Sequence, residues 1–106
     1  MTQRDFIEGW TETIVDSLKT DNATQDLTGM QVVLVLYDKD ANLIPYGGQS
    51  GVEEALTGKV FFTPAVGDLL ASKSPYGARW KVTDVAGEVA FWPTGPEPIE
   101  WNVYKP

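Results

Sequence analysis

Cysteine and histidine are both absent from this chain of 106 residues. Without cysteine there are no disulfides and no thiolate ligands, so the stability of the fold has to come from packing and from partners. Without histidine the chain lacks the commonest general base and the commonest metal ligand. We therefore expect a protein that is not an enzyme, with no catalytic residues, no metal site and no cofactor.

Positive charge and long apolar runs are also scarce. Eight Lys and Arg stand against fifteen Asp and Glu, which gives a formal net charge of −7. Nucleic-acid binders normally carry a basic stripe, so we expect no nucleic-acid partner. The longest apolar run, residues 32–37, is far shorter than the roughly 20 residues of a membrane span. Because the first residues also lack the apolar core of a signal peptide, we expect no membrane association and synthesis in a reducing cytoplasm.

The apolar residues that are present alternate with polar ones in short segments, and Gly, Pro and Asp separate these segments. Ala78, Trp80 and Val82 form the clearest half-buried strand. Residues 30–37 contain the unbroken apolar run 32–37, which is typical of a strand buried on both faces. About seven to eight such strands predict one all-β domain over residues 1–106, an immunoglobulin-like antiparallel β-sandwich.

Residues 4–18 fit two patterns. Phe6, Trp10, Ile14 and Leu18 recur at a spacing that suits an amphipathic helix. The same residues fall on one face of a strand, and Gly9 together with β-favouring neighbours weakens the helix. The pattern alone leaves helix and strand equally open.

The predicted core follows the apolar phase of each strand. Tyr76 precedes a strand and is expected to make a tyrosine-corner hydrogen bond. Asp38, Asp40 and Asn42 have the spacing of the first ligands of a calcium loop, but the glycine and glutamate that complete such a loop are missing, so a polar turn explains them. The residues expected to be buried are Val32, Leu34, Leu36, Phe61, Trp80, Val82, Phe91, Trp101 and Val103.

Aromatic, proline and acidic residues predict a docking surface. Trp92 shares its strand face with Ala90 rather than with Phe91, so we expect its indole to be exposed. The prolines that follow restrict their loop, which lowers the cost of ordering it against a partner. An acidic N-terminal strand at a sheet edge would offer unpaired backbone groups to a neighbour. The candidate interface residues are Trp92, Pro93, Pro96, Pro98, Tyr46, Glu8 and Glu12.

Several short motifs occur in an order that resembles a known family. They are residues 26–29 (Asp-Leu-Thr-Gly), 32–38, 58–60 (Gly-Lys-Val), Asp68, 76–84, Gly87 and 91–93 (Phe-Trp-Pro). In this order and spacing, across residues 9–103, the chain resembles the N-terminal domain family of the upper baseplate proteins of tailed bacteriophages. The resemblance implies an immunoglobulin-like sandwich that acts as an assembly module, with no catalytic residues to carry over. It also implies a strand at residues 9–11, which favours strand over helix for residues 6–18.

The expected function is therefore that of a non-enzymatic virion structural protein at the tail or baseplate, the neck or the capsid surface. The resemblance implies other phage structural proteins and further copies of this chain as partners, and a virion location after synthesis in the bacterial cytoplasm. The alternative is a soluble phage or prophage binding module, which either holds glycans through Trp92 and Tyr46 or inhibits a host defence protein. Its acidic surface would suit a basic partner.

Overall fold

The computed structural model describes residues 3–20 and 23–106, and within these residues regular structure is nearly all strand. Two short 3-10 helices, Ala55–Thr57 and Ala71–Lys73, lie in the connections. In the described part of the chain, the strands are β1 (Gln3–Ile7), β2 (Ile14–Ser17), β3 (Lys19–Thr20), β4 (Ala23–Thr24), β5 (Gln31–Tyr37), β6 (Gln49–Glu54), β7 (Lys59–Thr63), β8 (Tyr76–Thr83), β9 (Val89–Trp92) and β10 (Ile99–Tyr104).

The strands form two main sheets that pack as a sandwich. The large sheet has the order β1-β10-β8-β5, and β9 pairs with β8 beyond the end of β10. The small sheet has the order β2-β7-β6, and β3 and β4 form a separate two-residue ladder. The predicted all-β sandwich is confirmed. The expectation of purely antiparallel pairing is wrong at one place, because β1 runs parallel to β10.

Strict alternation on β8 and β10 builds the core. Tyr76, Ala78, Trp80 and Val82 point inward from β8, and Ile99, Trp101 and Val103 do so from β10. On β5 the even-numbered residues are buried, while Val33 on the opposite face is 49% exposed. The expectation that this strand is buried on both faces is therefore wrong, since only its inner face meets the other sheet.

Seven of the nine predicted core residues are buried, and the two phenylalanines are not. Phe62 enters the core in place of Phe61, because β7 turns Val60 and Phe62 inward together. The Phe61 ring lies over Gly51 on the outside of the small sheet, where a Cβ on Gly51 would come within 3.0 Å of it. Phe91 is 41% exposed, because its cross-strand partner is Lys81 on the outer face.

The N-terminal segment forms strands rather than a helix. β1 belongs to the large sheet and β2 to the small sheet, so the chain crosses between sheets at residues 8–13. Gly9 has a φ of 90°, in the left-handed region that favours glycine, and it starts this crossing. The strand predicted at residues 9–11 is therefore wrong, although Phe6, Ile14 and Leu18 are all buried as the strand pattern requires.

Candidate functional site

Trp92 faces the core instead of solvent. It pairs with Trp80 across the β8–β9 ladder, and its half-buried side chain packs against the core. Its indole Nε1 donates a hydrogen bond of 3.2 Å to the carbonyl of Lys19. The expectation that Trp92 is the exposed aromatic is wrong, because the two faces of β9 are reversed relative to the prediction: Phe91 and Val89 take the outer face.

The proline-containing loop between β9 and β10 is held down by Arg79. One guanidinium nitrogen donates to the carbonyls of Pro93 and Gly95, at 2.6 and 2.8 Å, and the other donates to Pro96 at 2.8 Å. Pro98 packs on Gly77, where an added Cβ would lie 2.9 Å from the proline ring. Sequence reasoning missed Arg79, whose only signal was its place on the outer phase of β8.

The side chain of Tyr46 is engaged in internal hydrogen bonds and packing, so its ring is not free to bind a ligand. Its hydroxyl donates to the carbonyl of Leu34 at 2.5 Å and lies 3.2 Å from the Ser50 hydroxyl. Its ring meets Phe62 edge-on, with ring centroids 4.7 Å apart. Burial raises the pKa of the Tyr46 hydroxyl above its usual value.

The two candidate glutamates lie in the crossing between β1 and β2, not on a strand. The Glu8 carboxylate accepts the backbone N–H of Ala71 at 2.9 Å. Glu12 has an exposed side chain, and its backbone carbonyl accepts the indole N–H of Trp10 at 3.1 Å. Strand β1 forms an edge of the large sheet, which is the condition for an N-terminal strand to offer its backbone groups to a neighbour. The candidate interface residues therefore lie on separate elements, and several of them are occupied by internal contacts.

Two buried carboxylates hold the sandwich together. Asp68 accepts the backbone N–H groups of Gly47, Gly48 and Ala65, at 2.8, 2.9 and 2.7 Å. Asp16 on β2 accepts the indole N–H of Trp80 at 3.0 Å and also pairs with Arg4. A buried carboxylate is stable only when its oxygens are paired in this way. Both side chains are therefore committed to the fold.

The Asp38 loop is a polar turn. One Asp38 oxygen accepts the backbone N–H groups of both Asp40 and Asn42 at 2.9 Å. The hydrogen bond from Asn42 is the main cause that lowers the pKa of Asp38. Within residues 3–20 and 23–106, no three His, Cys, Asp or Glu side chains are grouped so that they could hold a metal ion.

The hydroxyl of Tyr76 makes the expected hydrogen bonds to backbone atoms that precede it in the chain. Its hydroxyl accepts the backbone N–H of Leu70 at 3.0 Å and donates to the carbonyl of Asp68 at 3.3 Å. Burial raises the pKa of this hydroxyl above its usual value. The hydrogen bond predicted for a tyrosine corner is confirmed, and it fixes the passage from the small sheet into β8.

The outer face of the large sheet carries the exposed apolar residues of greatest interest. Val33, Lys81 and Phe91 form one row across β5, β8 and β9. Val89 is 48% exposed in the next row, opposite Thr83. We call Val33, Val89 and Phe91, with the stem of Lys81 between them, the apolar outer face. It offers a surface that a partner could cover.

A shallow cavity of about 460 Å³ lies on the same outer side of the large sheet. Tyr37, Gly77 and Glu100 form the row beneath it. Arg79, Glu97 and Pro98 contribute to its wall. The lining combines apolar groups, which include the ring of Tyr37 and Pro98, with the charged side chains of Arg79, Glu97 and Glu100.

In the described residues no helix has the length and apolar character needed to cross a membrane. A scan against protein-family models and searches of curated proteins and of solved structures found no match to this chain.

Proposed function

We propose that this protein is a non-enzymatic structural module that docks on other proteins, specifically a virion structural protein of a tailed bacteriophage. The observation that carries the docking role is the apolar outer face of the large sheet. Val33 and Phe91 are 49% and 41% exposed in one row of the large sheet, whereas the carboxylates of Asp16 and Asp68 are engaged in internal hydrogen bonds. Contiguous exposed apolar area on a soluble protein marks a surface for association.

The immunoglobulin-like part of the proposal is supported by strand order. The chain passes between the two sheets from β1 to β2, from β5 to β6 and from β7 to β8. Sandwiches of this class share such crossings, together with a tyrosine at the corner that leads into the last strands. Tyr76 occupies that corner.

The phage assignment rests on the motif resemblance, and the structure gives several of those motif residues a physical task. A Cβ on Gly58 would lie 2.7 Å from the Gln25 carbonyl, so the turn of the Gly-Lys-Val motif needs glycine. Asp68 anchors three backbone N–H groups, and Tyr76 ties two more backbone atoms. These structural tasks support the architecture that the resemblance implies, and the proposed role in the particle rests on the resemblance itself.

Co-sedimentation with purified phage particles tests the proposal. The protein is expected to remain with washed particles through a density gradient. Phe91→Glu on the apolar outer face should reduce the amount retained, while Val66→Glu, at an exposed loop position, should leave it unchanged. A protein that is expressed during infection yet missing from washed particles would exclude the virion role.

The cavity at Tyr37 favours one second candidate, a glycan-binding module. Sugars bind through stacking on an aromatic ring and hydrogen bonds to carboxylates, and Tyr37, Glu97 and Glu100 line this one depression. A glycan array tests it, with Tyr37→Ala expected to abolish any signal. Tyr46→Phe is the matched control, because Tyr46 lies outside the residues that line the cavity. An array without signal removes this candidate.

A further inference from the structure

Strand β9 has a free outer edge whose backbone groups can be assigned. The N–H and C=O of Leu34 bond to Ser50 and Tyr46, away from β8, so the Leu34–Trp80 pair is not hydrogen-bonded within the sheet. Antiparallel pairs alternate, and Trp80 therefore directs its backbone groups to the other side, toward Trp92. By the same alternation, Val89 and Phe91 direct their N–H and C=O groups outward. No bond between described residues uses them.

The other strand edges in the described part of the chain are protected. The outer edge of β5 is covered at Leu34 by Ser50 and Tyr46. Arg4 covers the edge of β2 by donating to the carbonyl of Val15 at 2.9 Å, and β1 itself carries the charges of Arg4 and Asp5. On β6, a register shift and exposed glutamates interrupt the edge. Proteins use such covers, charges and bulges to prevent strand pairing, and β9, with the sequence Val-Ala-Phe-Trp, has none of them.

We infer that the β9 edge pairs with β9 of a second copy of this chain. Resting on the proposed docking function, this inference names the partner that binds at the β9 end of the apolar outer face. The two β9 strands run antiparallel around a two-fold axis at Ala90, which joins the two large sheets into one continuous sheet. Val89 of each chain pairs with Phe91 of the other and exchanges both N–H···O bonds with it.

Self-complementarity of β9 selects a second copy over an unrelated strand. The axis at Ala90 places each valine beside a phenylalanine on the outer face, and β-branched–aromatic pairs of this kind favour strand pairing. The two Ala90 side chains meet on the opposite face, where their small size avoids a clash. Glu88 falls opposite Trp92 of the other chain, so this register places no like charges across from each other.

Net charge and strand length determine how strong the pairing is. Each chain carries −7, so two chains repel at long range, and salt should tighten the dimer by screening that repulsion. A four-residue strand buries less than a stable dimer interface normally does. The dimer is therefore weak in free solution and forms efficiently where an assembly holds many copies close together.

Sedimentation velocity of the full chain, from micromolar to millimolar concentration and at low and high salt, tests the inference. We expect dimers that increase with concentration and with salt. Val89→Lys places a charge on the pairing edge and should weaken association by about tenfold or more. Val33→Lys is the matched control, since it adds the same charge on the same outer face at a position whose backbone already pairs with β8. Circular dichroism checks that both variants fold.

Amide hydrogen exchange gives an independent readout. The amides of Val89 and Phe91 should become protected as the concentration rises, while the Ala90 amide, bonded to β8 in the monomer, should not change. A chain that stays monomeric at millimolar concentration overturns the inference. This holds even if Val89→Lys lowers incorporation into particles, because the substitution would then be blocking contact with a different protein. Equal loss of association in Val33→Lys also overturns it. If the protein dimerises through β9 but is missing from washed particles, the inference about β9 holds and the proposed virion role is wrong.

Discussion

The indole Nε1 of Trp80 donates a hydrogen bond of 3.0 Å to Asp16, and this bond joins β8 of the large sheet to β2 of the small sheet. The other Asp16 oxygen pairs with Arg4 on β1, so one carboxylate connects three strands. Trp101 is buried as completely as Trp80, yet its indole N–H has no hydrogen-bond partner among the described residues. The two tryptophans thus provide a natural comparison of the same side chain with and without a buried hydrogen bond.

Replacing each of these tryptophans by phenylalanine isolates that bond. Both substitutions remove the same atoms from the core, but only Trp80→Phe leaves a buried carboxylate oxygen without its donor. The free energy of unfolding should fall by about 1–3 kcal/mol more for Trp80→Phe than for Trp101→Phe. Urea denaturation followed by circular dichroism measures the difference. Equal losses in the two variants would mean that the bond to Asp16 contributes nothing net.

Asp68 should be among the least replaceable polar residues. Asp68→Ala leaves the N–H groups of Gly47, Gly48 and Ala65 without their acceptor in a part-buried loop junction. The expected loss is about 3 kcal/mol or more in the free energy of unfolding. Asp40→Ala, at an exposed turn position, should change stability by less than about 0.5 kcal/mol. A similar effect from both substitutions in thermal or urea unfolding would contradict the anchoring role.

Tyr46 and Tyr76 should make the fold sensitive to alkaline pH. Burial raises the pKa of both hydroxyls in the folded state, so the unfolded chain releases these protons first as pH rises. Stability is therefore complete below about pH 10 and decreases as pH rises from there toward the folded-state pKa values. The double variant Tyr46→Phe/Tyr76→Phe should lose less stability between pH 9 and pH 12, as measured by urea unfolding at each pH. An unchanged slope would show that other groups control the alkaline transition.

Local alternation predicted the sandwich and most of its core because Trp80, Trp101 and their neighbours have apolar residues on one phase and polar residues on the other. The same rule failed at Phe61 and Phe91. Phe61 is followed by a second phenylalanine, and β9 consists only of apolar residues. In both places the residues on either face of the strand are apolar, so the alternation cannot tell which face is buried. Pairing with Trp80 and Lys81, set by the register with a neighbouring strand, decides which side of β9 is buried.

The contacts of the candidate site depended even more on residues that are far apart in the sequence. Asp16 and Asp68 look like surface acids in the sequence, since aspartate is seldom buried unless it is paired. The donor to Asp16 comes from a residue 64 positions away, and two of those to Asp68 come from 20 and 21 positions away. The local sequence pattern predicts none of these long-range hydrogen bonds. The alternation did place Arg79 on the outer face, but only the folded chain brings the carbonyls of the proline loop within reach of it.

Removing the guanidinium of Arg79 should loosen the loop at residues 93–98 without disturbing the sheet. Arg79→Met removes the three hydrogen bonds to loop carbonyls, whereas Lys81→Met removes the same charge from the next outward position of β8 without such a loss. Because hydrogen bonds from charged groups stabilise by about 1.5–3 kcal/mol, the loop should open at least about tenfold more often in Arg79→Met.

Limited proteolysis measures that opening. The loop must leave the sheet before a protease can cleave it near Thr94 and Gly95, so the cleavage rate follows the population of the open loop. Cleavage should be faster in Arg79→Met than in Lys81→Met, while circular dichroism shows that both variants stay folded. Cleavage rates that match in the two variants would show that the prolines alone hold the loop, since their fixed φ angles limit its motion even without the guanidinium.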